Sequence, residues 1–149
     1  MPINRRAFLL SLPAAAALPH MAFAMSPKIY AENGVAVDGS DVVAYFTQGK
    51  PVAGRKDITL DWMGATWRFT TQENRAAFQA DPTAYAPQYG GYCAYAASEG
   101  YVAPTAPNAW SIVDGKLYLN YSKGMRRRWL KDTAGRIAAA DANWPEILN

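Results

Sequence analysis

Apolar and polar side chains alternate with a period of two in two pairs of short segments. The segments are residues 58–62 and 66–69, joined through Met63 and Gly64, and residues 110–113 and 116–121, joined through Asp114 and Gly115. This alternation predicts strands with one buried face, and a two-residue connection that ends in glycine predicts a tight turn. The chain is therefore predicted to form two β-hairpins.

A helix is predicted between the two hairpins. Thr70 and Thr71 are both candidates for its N-cap. Thr70 and Glu73 have the spacing of a capping box, which predicts a helix that runs to Ala80 with Phe78 facing inward. Asp81 and the proline after it end that helix and begin another short turn.

Several shorter elements complete the prediction. Residues 35–37 read as a strand, residues 92–97 as a small helix, and two further helices follow Ser122 and begin near Thr133. Residues 42–46 fit either one helical turn or a strand. Two hairpins mixed with short helices, without any repeat, predict a single small α+β domain.

Residues 1–24 have the pattern of an export signal. Arg5 and Arg6 precede an apolar run over residues 7–18, and the stretch ends in the small-x-small pattern that signal peptidases cleave. Adjacent arginines followed by Phe-Leu predict export by the twin-arginine translocase, with an ordinary secretory signal as the alternative. The apolar run is too short for a permanent anchor. We therefore expect residues 25–149 to form a soluble periplasmic protein without a transmembrane segment.

Removal of this leader changes both the charge and the available ligands. The full chain has 15 Lys and Arg against 12 Asp and Glu, but cleavage removes Arg5 and Arg6, so a nucleic-acid partner loses its electrostatic support. The only histidine, His20, also lies in the leader. A mature chain without imidazole excludes His-based zinc sites, histidine-ligated haem and a Ser-His-Asp triad.

The single cysteine, Cys93, lies in a stretch rich in tyrosine and glycine. One cysteine cannot form an internal disulfide, so the thiol is either buried as a small apolar group or used chemically. We predict that residues 85–95 form a segment that binds a metal ion or a small ligand, with the sulfur of Cys93 as its reactive atom. The candidate ligand-binding residues are Cys93, Tyr89, Gly90, Gly91, Tyr92 and Tyr95.

One ligand that the sulfur-bearing side chains favour is a soft metal ion. Copper(I) prefers thiolate and thioether sulfur, which makes Cys93 the first candidate ligand and Met63 and Met125 the further ones. No two of these sulfurs stand at ligand spacing, and methionine often fills gaps in a core. A pocket lined by rings, a redox thiol and a purely structural role stay open as alternatives. No catalytic constellation is predicted.

Three consecutive arginines, at residues 126–128, lie in the helix predicted after Ser122. Such a cluster attracts an anionic membrane surface or partner. The alternative is a solvated face of the helix, with Trp129 packing inward.

Short motifs also occur in a fixed order along the chain. They are GSDVVAYF at residues 39–46, WRF at 67–69, NRAAF at 74–78, DP at 81–82 with Tyr85, YGGYCAY at 89–95 and DGKLYLNY at 114–121. Together they resemble exported YHS-domain proteins, a family whose label includes selenoproteins. The resemblance covers residues 35–144. It implies a small α+β module of the kind found in heavy-metal transporters and oxygenase systems.

The resemblance also bears on metal binding. In metal-binding members of that family, one cysteine follows the strand aromatic and another recurs four residues later. The matching positions here are Thr70 and Asn74, and neither provides a thiolate. The family's usual metal site is therefore not expected in this chain.

Overall fold

The structure is a computed structural model that describes residues 25–149. The predicted signal peptide, its twin-arginine motif and its cleavage site fall on residues 1–24 and lie outside the described residues. Within the described part, none of the helices has the length and apolar character needed to cross a bilayer.

The described residues form an α+β fold of short strands and helices, which confirms the predicted fold class. The strands are β1 (Ala31–Glu32), β2 (Val35–Ala36), β3 (Arg55–Trp62), β4 (Ala65–Phe69), β5 (Trp110–Val113) and β6 (Lys116–Leu119). The helices are α1 (Val42–Thr47), α2 (Gln72–Ala80), α3 (Pro82–Tyr85), α4 (Ala94–Glu99), α5 (Lys123–Leu130) and α6 (Thr133–Asn143). Single 3₁₀ turns lie at Val37–Gly39, Gln88–Gly91 and Glu146–Leu148.

Both predicted hairpins form. β3 and β4 pair antiparallel through Met63 and Gly64, and β5 and β6 through Asp114 and Gly115. All four turn residues have positive φ, between 50° and 80°, as a type I′ turn requires. The first hairpin belongs to a four-stranded sheet of order β1-β2-β4-β3, in which β2 runs parallel to β4. The second hairpin is a separate sheet.

The start of α2 corrects one prediction. The side chain of Thr71, not of Thr70, caps the helix, because its Oγ1 accepts the Asn74 N–H at 3.1 Å. The capping box of Thr70 with Glu73 was therefore wrong. Thr70 instead donates to a buried carboxylate, that of Asp41. The ambiguity over residues 42–46 is resolved as helix, since Asp41 caps α1.

The core has two parts, and residues 89–94 border both. The larger cluster contains rings of the first sheet and α2, among them Trp67 and Phe78 with centroids 5.0 Å apart. The smaller cluster packs Tyr118 against Trp129 at 5.2 Å. Burying rings of this size dominates the packing energy of a small domain. The tyrosine-rich segment thus lies where the two parts meet.

Candidate functional site

The two glycines of the tyrosine-rich segment are required by close packing within the chain. Gly90 and Gly91 have φ of 63° and 86°, and both lie against residues that flank β1 and β2. A Cβ at Gly90 would lie 1.9 Å from the carbonyl oxygen of Lys28, and one at Gly91 would lie 2.5 Å from Val37 Cγ1. Only glycine fits this turn.

Tyr89 and Tyr92 of the segment are held by hydrogen-bond partners in the chain. The Tyr89 hydroxyl donates to Asp141 Oδ1 at 2.8 Å, and the Tyr92 hydroxyl donates to the Pro27 carbonyl at 2.7 Å. Burial, followed by the bond to the Asp141 carboxylate, raises the pKa of Tyr89 well above its usual range. Burial also raises the pKa of Tyr92. These phenols are neutral packing groups at ordinary pH.

Cys93 lies immediately before α4 and is 1% exposed. Its thiol donates to Asn120 Oδ1 at 3.5 Å, and its Sγ accepts the backbone N–H of Tyr121 at 3.3 Å. Its own N–H donates to the Ala103 carbonyl at 3.0 Å. Two separate segments, residues 120–121 and the loop that contains Ala103, therefore hold Cys93 in position.

Asn120, which follows β6, is the central polar residue of this region and is completely buried. Its Oδ1 accepts from the Tyr95 N–H at 3.0 Å as well as from Cys93. Its Nδ2 has no hydrogen-bond partner among the described residues. An unsatisfied buried donor costs about 1–3 kcal/mol, so native structures contain few of them. The polar centre beside Cys93 is thus incomplete within this chain.

A cavity of about 230 Å³ adjoins the sulfur. Its lining, which defines the Cys93 cavity, consists of Cys93, Tyr95, Ala96, Tyr101, Ala103, Tyr121 and Met125. Tyr101 and Tyr121 are about half exposed, at 51% and 56%, so they form its outer rim. No charged side chain contributes to this lining. The cavity is small and aromatic, and two sulfur-bearing side chains line it.

The structure divides the predicted site residues between two places. It brings Cys93, Tyr95 and Met125 to the Cys93 cavity. Tyr89, Gly90 and Met63 line another cavity, of about 400 Å³, together with Trp62 and Trp144. Gly91 and Tyr92 line neither of these cavities. Cys93 and Met125, 32 positions apart in the chain, are therefore the predicted sulfur pair that folding brings to one cavity.

Three residues of the region were not predicted from the sequence. Asn120, Tyr101 and Tyr121 reach the cavity or the thiol through the loop before β5 and the end of β6. Asn120 directly follows the apolar end of a predicted strand, and a polar side chain at that position is the only signal that the sequence offers.

Thr70 and Asn74 take part in a second buried polar centre. The Asp41 carboxylate, which caps α1, accepts the Thr70 N–H at 2.8 Å, the Thr70 hydroxyl at 2.7 Å and the Asn74 amide at 2.8 Å. Thr70 and Asn74 therefore bind a buried carboxylate of the chain itself. Within residues 25–149, no three His, Cys, Asp or Glu side chains converge in a way that could hold a metal ion.

Comparison with known proteins identifies no similar protein. No protein family, no curated protein and no solved structure matches the chain significantly. The resemblance to YHS-domain proteins therefore stays a prediction, and a function has to be argued from the geometry around Cys93.

Proposed function

We propose that the protein is a periplasmic binding module that takes a soft metal ion, copper(I), in the Cys93 cavity. The observation that carries the proposal is that the side chains of Cys93 and Met125 line one small cavity. Thiolate and thioether are the donors that copper(I) selects. The periplasmic location depends on the leader predicted from the sequence.

The hydrogen bonds around the sulfur are compatible with a metal-bound thiolate. The Tyr121 N–H donates to Sγ at 3.3 Å and stays satisfied after the thiol proton leaves. Asn120 Oδ1 loses the thiol donor but keeps the Tyr95 N–H at 3.0 Å. Loss of the proton therefore leaves no further polar group unpaired beside the sulfur.

The tyrosine rim supports a site that a small ligand can enter. Tyr101 and Tyr121 are half exposed, whereas the sulfur is almost completely covered. At about 230 Å³ the cavity lies below the usual range of roughly 300–1,000 Å³ for organic ligand pockets. A single ion, or a ligand of only a few atoms, suits this volume.

The test is a copper(I) titration of the purified protein against a chromophoric competitor. We expect one ion per chain, loss of that site in Cys93→Ser and binding roughly tenfold weaker in Met125→Leu, equivalent to about 1.4 kcal/mol. Met63→Leu is the matched control, because Met63 lies in the other cavity. Copper(I) binding that survives Cys93→Ser would contradict the proposal.

A thiol-exchange function is the second candidate. It is favoured by one observation: Cys93 lines a cavity with a half-exposed rim, and the described residues offer no second cysteine to form an internal disulfide. Oxidised glutathione, added to the folded protein, would then give a mixed disulfide on Cys93 with release of one glutathione. Intact mass measurement detects this adduct. If it forms only after unfolding, the thiol-exchange function is excluded.

A further inference from the structure

The three consecutive arginines are separated by the fold. Arg126 points back to the second hairpin, where its Nε donates to the Trp110 carbonyl at 2.6 Å and to Ser111 Oγ at 2.8 Å. Arg127 and Arg128 are exposed, as is Lys131 one turn later. Arg126 therefore anchors α5, and the other cations remain at the surface.

The exposed cations of α5 have no acidic partner in the described part of the chain. The ion pairs of residues 25–149 join Arg55 to Asp57 and Arg136 to Glu99. From Lys116 to Lys131 the sequence contains six basic residues and no acidic one. This face of the molecule therefore carries uncompensated positive charge.

These cations line two adjoining hollows. One, of about 530 Å³, is lined by Arg127, Arg128 and Lys131 together with Ser122 and Gly124. The other, of about 560 Å³, contains Arg128 and Lys131 again, with Arg136 and Asp132. Because they share Arg128 and Lys131, we treat the two hollows as one feature, the α5 groove.

The far wall of the α5 groove is held in position. The Arg136 guanidinium lies 4.1 Å from the centre of the Tyr95 ring, and it also donates to the Tyr95 hydroxyl at 3.2 Å and to Ser98 Oγ at 3.0 Å. Asp132 is the one carboxylate in the lining, and its Oδ1 caps α6 by accepting the Gly135 N–H at 3.1 Å. Arg136 is paired with Glu99, so among the described residues Arg127, Arg128 and Lys131 are the groove cations outside any ion pair, against one carboxylate.

We propose that the α5 groove binds a small molecule that carries two linked phosphate groups. Arginine pairs with phosphate through parallel N–H bonds, and a concave set of cations suits a compact multivalent anion better than a flat bilayer. Basic residues near the C-terminus of a helix also interact favourably with the helix dipole. That effect accounts for their position along α5 but not for their arrangement around two hollows.

Inorganic pyrophosphate is the probe, titrated calorimetrically into the purified protein at constant ionic strength, with sulfate as the comparison anion. We expect saturable binding of one pyrophosphate. Arg128→Gln should weaken it roughly tenfold or more, because Arg128 lines both hollows and its hydrogen bonds to phosphate are charge-assisted. Arg128→Lys should restore part of the affinity.

The control variant is Lys56→Gln, which removes an exposed cation from β3. An equal loss of affinity in Lys56→Gln and Arg128→Gln would overturn the proposal, because it would mean that only net charge matters. Absence of saturable pyrophosphate binding would also overturn it. So would binding to vesicles of phosphatidylglycerol and phosphatidylcholine that depends on Arg128 but is not reduced by pyrophosphate, since the ligand would then be a lipid surface. Circular dichroism checks that each variant is folded.

Discussion

Two buried polar centres of this molecule differ in how completely they are paired. The Asp41 carboxylate is fully buried and accepts from two N–H groups of α1, from the Thr70 backbone and hydroxyl, and from the Asn74 amide. The Asn120 amide is equally buried, but its Nδ2 has no partner among the described residues and the thiol that it contacts lines a cavity.

The difference separates a structural centre from a candidate site. A saturated carboxylate ties α1 to α2 and has no capacity left for a ligand. The Asn120 amide keeps an unpaired Nδ2, at some cost in stability, while its Oδ1 contacts a thiol that lines a cavity. Trp129 Nε1 is also buried without a partner, so it is the combination of an unpaired amide, a thiol and a cavity that distinguishes the Cys93 region.

Replacing the saturated carboxylate should have the largest effect. Asp41→Ala removes a helix cap and leaves the Thr70 N–H and hydroxyl without an acceptor, so we expect a loss of about 3–5 kcal/mol in the free energy of unfolding. Urea denaturation measures the change. Asp57→Ala, at an exposed carboxylate of β3, is the control and should change stability little. A loss below about 1 kcal/mol for Asp41→Ala would break the comparison.

Replacing the incomplete centre should cost less. Asn120→Ala leaves the Tyr95 N–H without its acceptor but also removes the unpaired Nδ2, so we expect a loss of about 1–3 kcal/mol, smaller than that of Asp41→Ala. The same denaturation experiment measures it. A loss equal to that of Asp41→Ala would mean that both centres are structural.

The smallest effect at neutral pH is expected near the saturated centre, at Tyr45 of α1. Its hydroxyl donates to the Pro107 carbonyl at 2.7 Å, so Tyr45→Phe should cost about 1 kcal/mol there. Burial raises the pKa of Tyr45 from 10.0 to about 12, so its contribution to stability is complete below pH 10 and is lost as the pH rises through this interval.

Unfolding measured from pH 8 to 12 tests this sign. Stability of the wild type should fall more steeply above pH 10 than that of Tyr45→Phe, since the unfolded chain releases the Tyr45 proton first. Tyr121→Phe, which removes the hydroxyl of an exposed tyrosine, is the control variant. If the free energy of unfolding falls with pH in parallel for the wild type and Tyr45→Phe, the raised pKa of Tyr45 is refuted.

Local signals predicted most of the fold. The pair Asp114-Gly115 was enough to place the second hairpin, because a type I′ turn has strong residue preferences. Both Thr70 and Thr71 were candidates for the cap of α2, and the capping box was assigned to the wrong one, because the two are equally suited to capping. The choice is made by Asp41, 29 positions before Thr70, which takes the Thr70 hydroxyl. β1 was not predicted, since a strand of two residues has no periodicity.

The candidate site depends on contacts that no local signal contains. Cys93 was singled out from composition, but its neighbours Met125 and Tyr101 reach it through separate loops and helices. Asn120 reaches the thiol only because folding brings the end of β6 beside Cys93. Sequence pattern therefore found the sulfur, and only the fold identified what surrounds it.

Tyr95 connects the two candidate sites, because it lines both the Cys93 cavity and the α5 groove. The ring also supports the Arg136 guanidinium. A metal ion in the Cys93 cavity that displaces this ring would also displace the Arg136 guanidinium. An anion that binds Arg136 in the α5 groove would in turn displace the ring. Thermodynamic reciprocity then requires each occupant to change the affinity of the other by the same factor.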